Sequence, residues 1–464
     1  MNSAATEKML RWLIAAVSLF GVFVILRLIA VNAVRGDEFL SFLHSAPHWD
    51  SLPVVIRNIH AGADHSYVHA SILYGAFSLF GHDLIVQRLV SLIFWASGLA
   101  VLYLVLRKGD HQRLWLLFAL FFTAFSNFGI YLATDGRFYS ILFFIATLQL
   151  AVYTYRSSFS YPVYGILLFL VQLTGLLTSS NFIVLQCIFL PSMLLNRLIL
   201  QQRYENRLIL TTAAATLLSS LLYFTCFRIN YFHHFFLQNL FTAKPVANHL
   251  LAEFISTPFR WFMVPHIPFL PDPLDVLAFC GFTAILLVIK RKELGTIFQE
   301  FADQYRLINM MASVLLTLMP VQLVLMWTVG FPLWTTRYYT GVFIVVTIVI
   351  AGLLFHLLNI RVLAVLIVLM CFRLPAVEYP KIEARRQVQE AVAEQDRQLT
   401  SQPGMIVFTE TETDYSAFPR MAHIYISQPE VRPRLMLDYN EADTERMYYF
   451  LKLEKLGYPL QLRH

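Results

Sequence analysis

Charge is what this 464-residue sequence lacks most: Asp, Glu, Lys and Arg make up 14% of it, against about a quarter in soluble chains. The shortage is concentrated in long runs. Leu114–Thr134, Phe138–Tyr155, Ser157–Asn196, Leu208–Phe227, Leu307–Thr336 and Tyr338–Ile360 carry no Asp, Glu, Lys or Arg at all. That patterning excludes an ordinary soluble enzyme. Cysteine is scarce too: Cys187, Cys226, Cys280 and Cys371 show no CxxC spacing and all lie in apolar runs. A disulfide framework and a zinc ribbon are therefore excluded, and core packing is the expected role of the four thiols. There is no internal repeat, no low-complexity segment and no HExxH. The net charge of +6 is not gathered into a patch, which excludes nucleic acid as a partner.

What is present is a helical membrane pattern. A hydrocarbon core needs about 20 apolar residues per helix. By that measure the chain reads as an all-α polytopic membrane protein of roughly eleven spans, near 12–33, 86–106, 114–133, 138–155, 161–177, 182–199, 208–227, 274–289, 307–329, 338–358 and 361–376. Thr178-Ser-Ser-Asn181 is the best turn within the long Ser157–Asn196 run. The basic groups Lys8/Arg11, Arg107/Lys108/Arg113, Arg197/Arg203/Arg207 and Lys290/Arg291/Lys292 fall at alternate junctions. The positive-inside rule then puts the N-terminus in the cytoplasm. The first apolar stretch, from Trp12 to Ala33, is too long for a signal-peptide core and reads as an uncleaved helix.

On this topology the loop 34–85, the turn Ala133–Arg137, the loop 228–275 and Trp334–Arg337 share the outer face. Tyr67–Gly81 is apolar but short, and reads as a juxtamembrane helix. Trp49, Tyr67, Trp261 and Trp334 fall on the same face, where anchoring in an aromatic belt is the default role. From Glu378 the composition changes. A charged helical stretch, KIEARRQVQEAVAEQDRQL, precedes strand-like pieces at MIVFTE, His423–Ile426 and Leu435–Leu437. The expected organisation is a membrane module over 1–377 and a small extracytoplasmic α/β domain over 378–464.

Four stretches occur in a telling order. An Asp37-Glu38 pair follows the first helix, and "FSLFGHDLIVQRLVSLIFW" comes next. "TDGRFYSILFF" stands two helices later, and "WTTRYYTGVFIVV" far downstream. This order resembles the GT-C membrane glycosyltransferases that use polyprenyl-phosphate sugars, such as the protein O-mannosyltransferases and the lipid A aminoarabinose transferases. The likeness is fullest over about the first 160 residues and thin around Arg337-Tyr338. Two departures stand out: Ser66-Tyr67-Val68-His69 replaces the family's proline pair, and Asp135-Gly136 stands where many members have Ser-x-Glu-Ala.

The resemblance implies a chemistry. Polyprenyl phosphate is a good leaving group, so transfer to a hydroxyl needs a base at the acceptor and positive charge near the departing phosphate. By analogy Asp37 is the base with Glu38 as its substitute, and Asp135 is a second, helper carboxylate. Arg137, Arg337 and Tyr338 are implied to hold the donor phosphate, for which a planar guanidinium is suited. Lys244 and Arg260 are weaker alternatives for that task. Each has an ordinary reading beside it: a solvated acidic pair, a solvated turn, a snorkelling interfacial Arg. No cofactor is required by this chemistry. His65 and His69, four apart with His60 and Asp64 nearby, are weak metal candidates, since Gly62 breaks the helix that would align them.

The implied activity is inverting transfer of a sugar from a polyprenyl-phosphate donor to an extracytoplasmic hydroxyl, in a bacterial inner membrane. Two other classes stay open on the sequence: a lipid or anion transporter or flippase, and a non-catalytic scaffold of an envelope assembly complex. Against the first, the candidate charges lie at one face and no broken mid-membrane repeat is evident.

Overall fold

The computed structural model describes residues 4–31, 51–61, 66–109, 113–199, 206–227 and 340–373. It adds Glu38, Ser41, Phe42, Ser45, scattered positions between 281 and 314 and between 380 and 431, and three short strands. The described chain is overwhelmingly helical. Twelve helices run α1 (Ala4–Val31), α2 (Leu52–Ala61), α3 (Tyr67–Phe80), α4 (Leu84–Gly109), α5 (Arg113–Phe125), α6 (Asn127–Thr134), α7 (Tyr139–Thr154), α8 (Tyr161–Thr178), α9 (Ile183–Ile199), α10 (Asn206–Phe227), α11 (Thr340–Leu357) and α12 (Ile360–Arg373).

Four of them are long and apolar enough to cross a membrane: Glu7–Val31, Leu84–Lys108, Tyr161–Thr178 and Asn206–Phe227. The bent pair α5–α6 makes a fifth. Large apolar side chains such as Trp12, Leu19 and Phe23 point outward from α1, as they would towards lipid and not towards water. This is a helical membrane protein. The expected spans near 274–289 and 307–329 lie outside the described elements, and α7, α9, α11 and α12 are shorter apolar helices.

The chain divides into two units. The first comprises Met1–Phe23, Leu92–Ala133 and Phe138–Val377. Its helices α8, α9 and α10 are joined by neutral polar pairs. Tyr164 Oη lies 3.0 Å from Thr212 Oγ1, and Gln172 Nε2 donates to Thr216 Oγ1 at 3.1 Å. Ser220 Oγ donates to Gln186 Oε1 at 3.0 Å. Aromatic contacts carry the rest: Trp115 of α5 meets Phe355 of α11, and Phe128 of α6 meets the edge of Phe343 at 4.7 Å. The turn at 178–181 is where α8 ends. Ser179 Oγ accepts from Asn181 N at 3.3 Å, and Phe182 packs where a Cβ on Gly175 would come within 2.5 Å of its ring.

The run read as one span at 114–133 is broken. Helices α5 and α6 meet at a bend of 63°. Two hydroxyls in the break bond to backbone: Thr123 Oγ1 donates to Ala119 O at 2.8 Å and Ser126 Oγ to Thr123 O at 3.0 Å. Ser126 Oγ also accepts from Gly129 N at 3.0 Å. Side chains inserted into the helical ladder bend it. Gly129 lets the two backbones close up, since a Cβ there would stand 2.2 Å from Thr123 O.

The second unit comprises Val24–Ser91, Thr134–Arg137 and Glu378–His464. Within it α3 ends at Gly81, whose φ of 95° requires glycine, and whose N–H returns to Phe77 O at 3.0 Å. Asp83 then caps α4 by accepting from Ile85 N at 2.6 Å. Strands β1 (Ile406–Thr409), β2 (Leu435–Asp438) and β3 (Gln461–Arg463) form a parallel sheet in the order β1-β2-β3. Ile406 is opposite Leu435 and Met436 opposite Gln461. The residues after Val377 group with Val24–Ser91 and Thr134–Arg137 in this unit.

Two side-chain expectations need correcting. Cys187 and Cys226 are exposed on the outward faces of α9 and α10, not packed in a core. On an apolar helix a thiol can face outward as a small hydrophobe at no cost. Cys280 and Cys371 lie outside the described side chains. Tyr67 is buried, with its hydroxyl 2.9 Å from His60 Nδ1, so it is not a belt anchor. Trp49, Trp261 and Trp334 lie outside the described residues.

Candidate functional site

Helix α4 begins Leu84-Ile-Val-Gln-Arg88-Leu-Val-Ser91, and its three polar members, Gln87, Arg88 and Ser91, are all buried. A guanidinium buried in an apolar helix is tolerable only if its donors are met and its charge is balanced. Both conditions hold. Arg88 Nε donates to Glu38 Oε1 at 2.8 Å and Nη2 to Glu38 Oε2 at 2.9 Å. Nη1 donates to Ile29 O in the last turns of α1 at 2.9 Å. The two charged side chains are each 2% exposed. Planar fork against planar carboxylate is the strongest geometry available to such a pair.

Around this pair the backbone is drawn in. Gly136 N donates to Glu38 Oε1 at 3.0 Å, while Gln87 Nε2 donates to Glu38 O at 3.0 Å and to Gly136 O at 2.7 Å. Gly136 is a glycine because nothing larger fits. A Cβ there would stand 2.6 Å from Glu38 Oε1 and 2.9 Å from Gln87 Cγ. Ser91 Oγ reaches Arg137 O at 3.4 Å. The side chain of Gln87, one helix position before Arg88, thus stitches the turn after α6 to the segment after α1.

The same turn holds a second buried ion pair. Arg137 Nε donates to Asp135 Oδ1 at 2.9 Å and Nη2 to Oδ2 at 3.1 Å, with Arg137 N on Oδ1 at 3.1 Å. Asp135 therefore closes its own turn and neutralises the arginine two residues on. Nearby, Phe42 stacks on His82 with ring centroids 3.7 Å apart, and His82 Nε2 donates to Phe42 O at 3.1 Å. Phe77 meets Phe42 edge-on at 5.4 Å. This aromatic clamp fastens the chain just after Glu38 to the corner between α3 and α4.

Of the residues singled out in the sequence, Glu38, Asp135 and Arg137 meet in this node. Glu38 gives both carboxylate oxygens to Arg88 and the Gly136 amide, a geometry that anchors and leaves it ill-suited to act as a base. Asp37, Arg337, Tyr338, Lys244, Arg260 and His65 lie outside the described residues. His69 is buried on α3, and among the described residues no three His, Cys, Asp or Glu side chains come together.

Arg88 and Gln87 were not singled out, yet the signal for both was in the sequence. A lone cation near the start of an apolar span implies a buried partner. Gln87 and Ser91, one before and three after it, mark a polar face at the start of the helix. Comparison with models of protein families, with curated proteins and with solved structures finds no match to this chain.

Proposed function

We propose that the chain is a GT-C-like membrane glycosyltransferase, moving a sugar from a polyprenyl-phosphate carrier to an extracytoplasmic hydroxyl. The observation that supports the reading best is the buried node itself. Three segments far apart in sequence, Glu38 after α1, the Gln87-Arg88 start of α4 and the Asp135–Arg137 turn, close on one set of charge-assisted hydrogen bonds. These are the segments on which the family likeness rests.

In this reading Glu38 is a positioning residue. With its carboxylate and carbonyl both held, it fixes the backbone beside Asp37. Asp37 takes the proton from the acceptor hydroxyl as that oxygen attacks the anomeric carbon. The bond from that carbon to the phosphate oxygen breaks on the opposite side, and the electron pair leaves with polyprenyl phosphate. One displacement inverts the configuration. Arg337 and Tyr338 receive the phosphate charge, and Arg137, neutralised by Asp135, holds its own turn. The step needs no cofactor. Residues 378–464 form the small extracytoplasmic α/β domain of this enzyme, and its membrane is the bacterial inner membrane.

The test is mass spectrometry of lipids that co-purify with Asp37→Asn. That variant keeps the donor site and loses the base, so a retained polyprenyl-phospho-sugar is the expected result, and its mass names the sugar. Ordinary phospholipids alone, across several detergents, would overturn the reading in favour of a transporter or a scaffold.

A further inference from the structure

A second feature lies in the first unit and uses none of these residues. Helices α1, α4 and α5 line an open groove with a hollow of about 530 Å³. At one end α1 and α5 close up on each other. Gly21 of α1 comes so close to α5 that a Cβ would stand 2.3 Å from the Phe125 ring, and Trp95 of α4 meets the same ring edge-on. From that junction the lining leads along α1 through Val22, Ser18, Ala15 and Ile14 to Arg11. Small side chains, Ala15 and Ser18 on α1, Ala100 on α4 and Ala124 on α5, leave the space that larger ones would fill.

Length and charge both discriminate between occupants. Gly21 to Arg11 is ten residues, about 15 Å at 1.5 Å per residue, which is half of a hydrocarbon core about 30 Å thick. The hollow is therefore one leaflet long, apolar, narrowed near mid-membrane where Gly21 meets Phe125, and basic at its mouth. At that mouth Arg11 is joined by Tyr103, over whose ring the Arg107 guanidinium sits at 6.0 Å. Lys108 follows Arg107 in sequence, and Lys8 stands three residues before Arg11. Arg11 is met by Glu7 at only 3.4 Å, and both side chains are 43% exposed, so that pair yields readily to a phosphate. One acyl chain matches that length, with its headgroup at the basic mouth.

We infer that this hollow is a site for one acyl chain of an anionic glycerophospholipid, with the headgroup phosphate on Arg11 and Arg107. The inference stands apart from the glycosyltransferase reading. Native mass spectrometry of the full chain tests it, with phosphatidylglycerol and phosphatidylcholine of identical acyl chains as probes. One phosphatidylglycerol should persist after detergent washing that strips phosphatidylcholine. Arg11→Gln, a change at an exposed position, should weaken retention about tenfold, as loss of one charge-assisted phosphate contact does. Ala15→Phe, which puts a ring into the groove, should weaken it further, while Leu19→Phe on the outward face should not. Equal retention of the two lipids, or retention indifferent to both Arg11→Gln and Ala15→Phe, would overturn the proposal.

Discussion

Two buried polar regions of this protein solve the same problem in opposite ways. Between α8, α9 and α10, Tyr164, Thr212, Gln172, Thr216, Gln186 and Ser220 meet as neutral amides and hydroxyls. At the start of α4 a full guanidinium and a full carboxylate are buried at 2% exposure each. Neutral pairs between membrane helices average about 0.6 kcal/mol and can be lost one at a time. A buried charge has no such slack, because removing its partner leaves an uncompensated ion. Where helices only need to adhere, neutral groups suffice. The use of charge at the Glu38–Arg88 node marks a place whose geometry has to be held in one state.

Arg88→Met breaks the comparison most sharply. It strands the Glu38 carboxylate and should destabilise the protein by about 3–5 kcal/mol, read as a loss of thermal stability in detergent. The double variant Glu38→Met/Arg88→Met sharpens it. Apolar residues of similar volume should recover most of the stability without restoring the proposed transfer activity. Recovery of both would reduce the node to packing. Gly136→Ala should come next, at about 1–3 kcal/mol, because its Cβ would meet Glu38 Oε1 at 2.6 Å and force the fork apart. The smallest effect belongs to the neutral seam: Gln172→Leu should cost about 0.6 kcal/mol and at most about 1.7, with activity unchanged. A cost for Gln172→Leu as large as that of Arg88→Met would erase the distinction.

Much of the helical framework was legible in the sequence because span and turn are both local signals. The start of α8 at Tyr161, its end at Thr178 and the start of α9 at Ile183 follow from an uncharged run interrupted by Ser-Ser-Asn. The bend at Ser126 was not legible. It depends on where two hydroxyls happen to reach backbone carbonyls, and Ser and Thr are equally at home in straight helices. The site divides in the same way. Acids and bases in loops attract notice, so Glu38, Asp135 and Arg137 were picked out. That Glu38 anchors, and that Arg88 is its partner, is a long-range fact, and period or spacing within one helix carries no trace of it.

The Glu38–Arg88 fork also sets a timetable for synthesis. Its two halves are 50 residues apart, and Gly136 is 98 residues beyond Glu38. At about 5–20 residues per second a ribosome delivers Arg88 roughly 3–10 seconds after Glu38, and Gly136 as long again after that. Throughout that interval the carboxylate has to stay in water while α1 is already in the bilayer. The arginine that enters with α4 then finds an anion waiting at the head of its own helix. The fork is thus a latch that only a correctly oriented α4 can close, and the arrival of the Gly136 amide seals it.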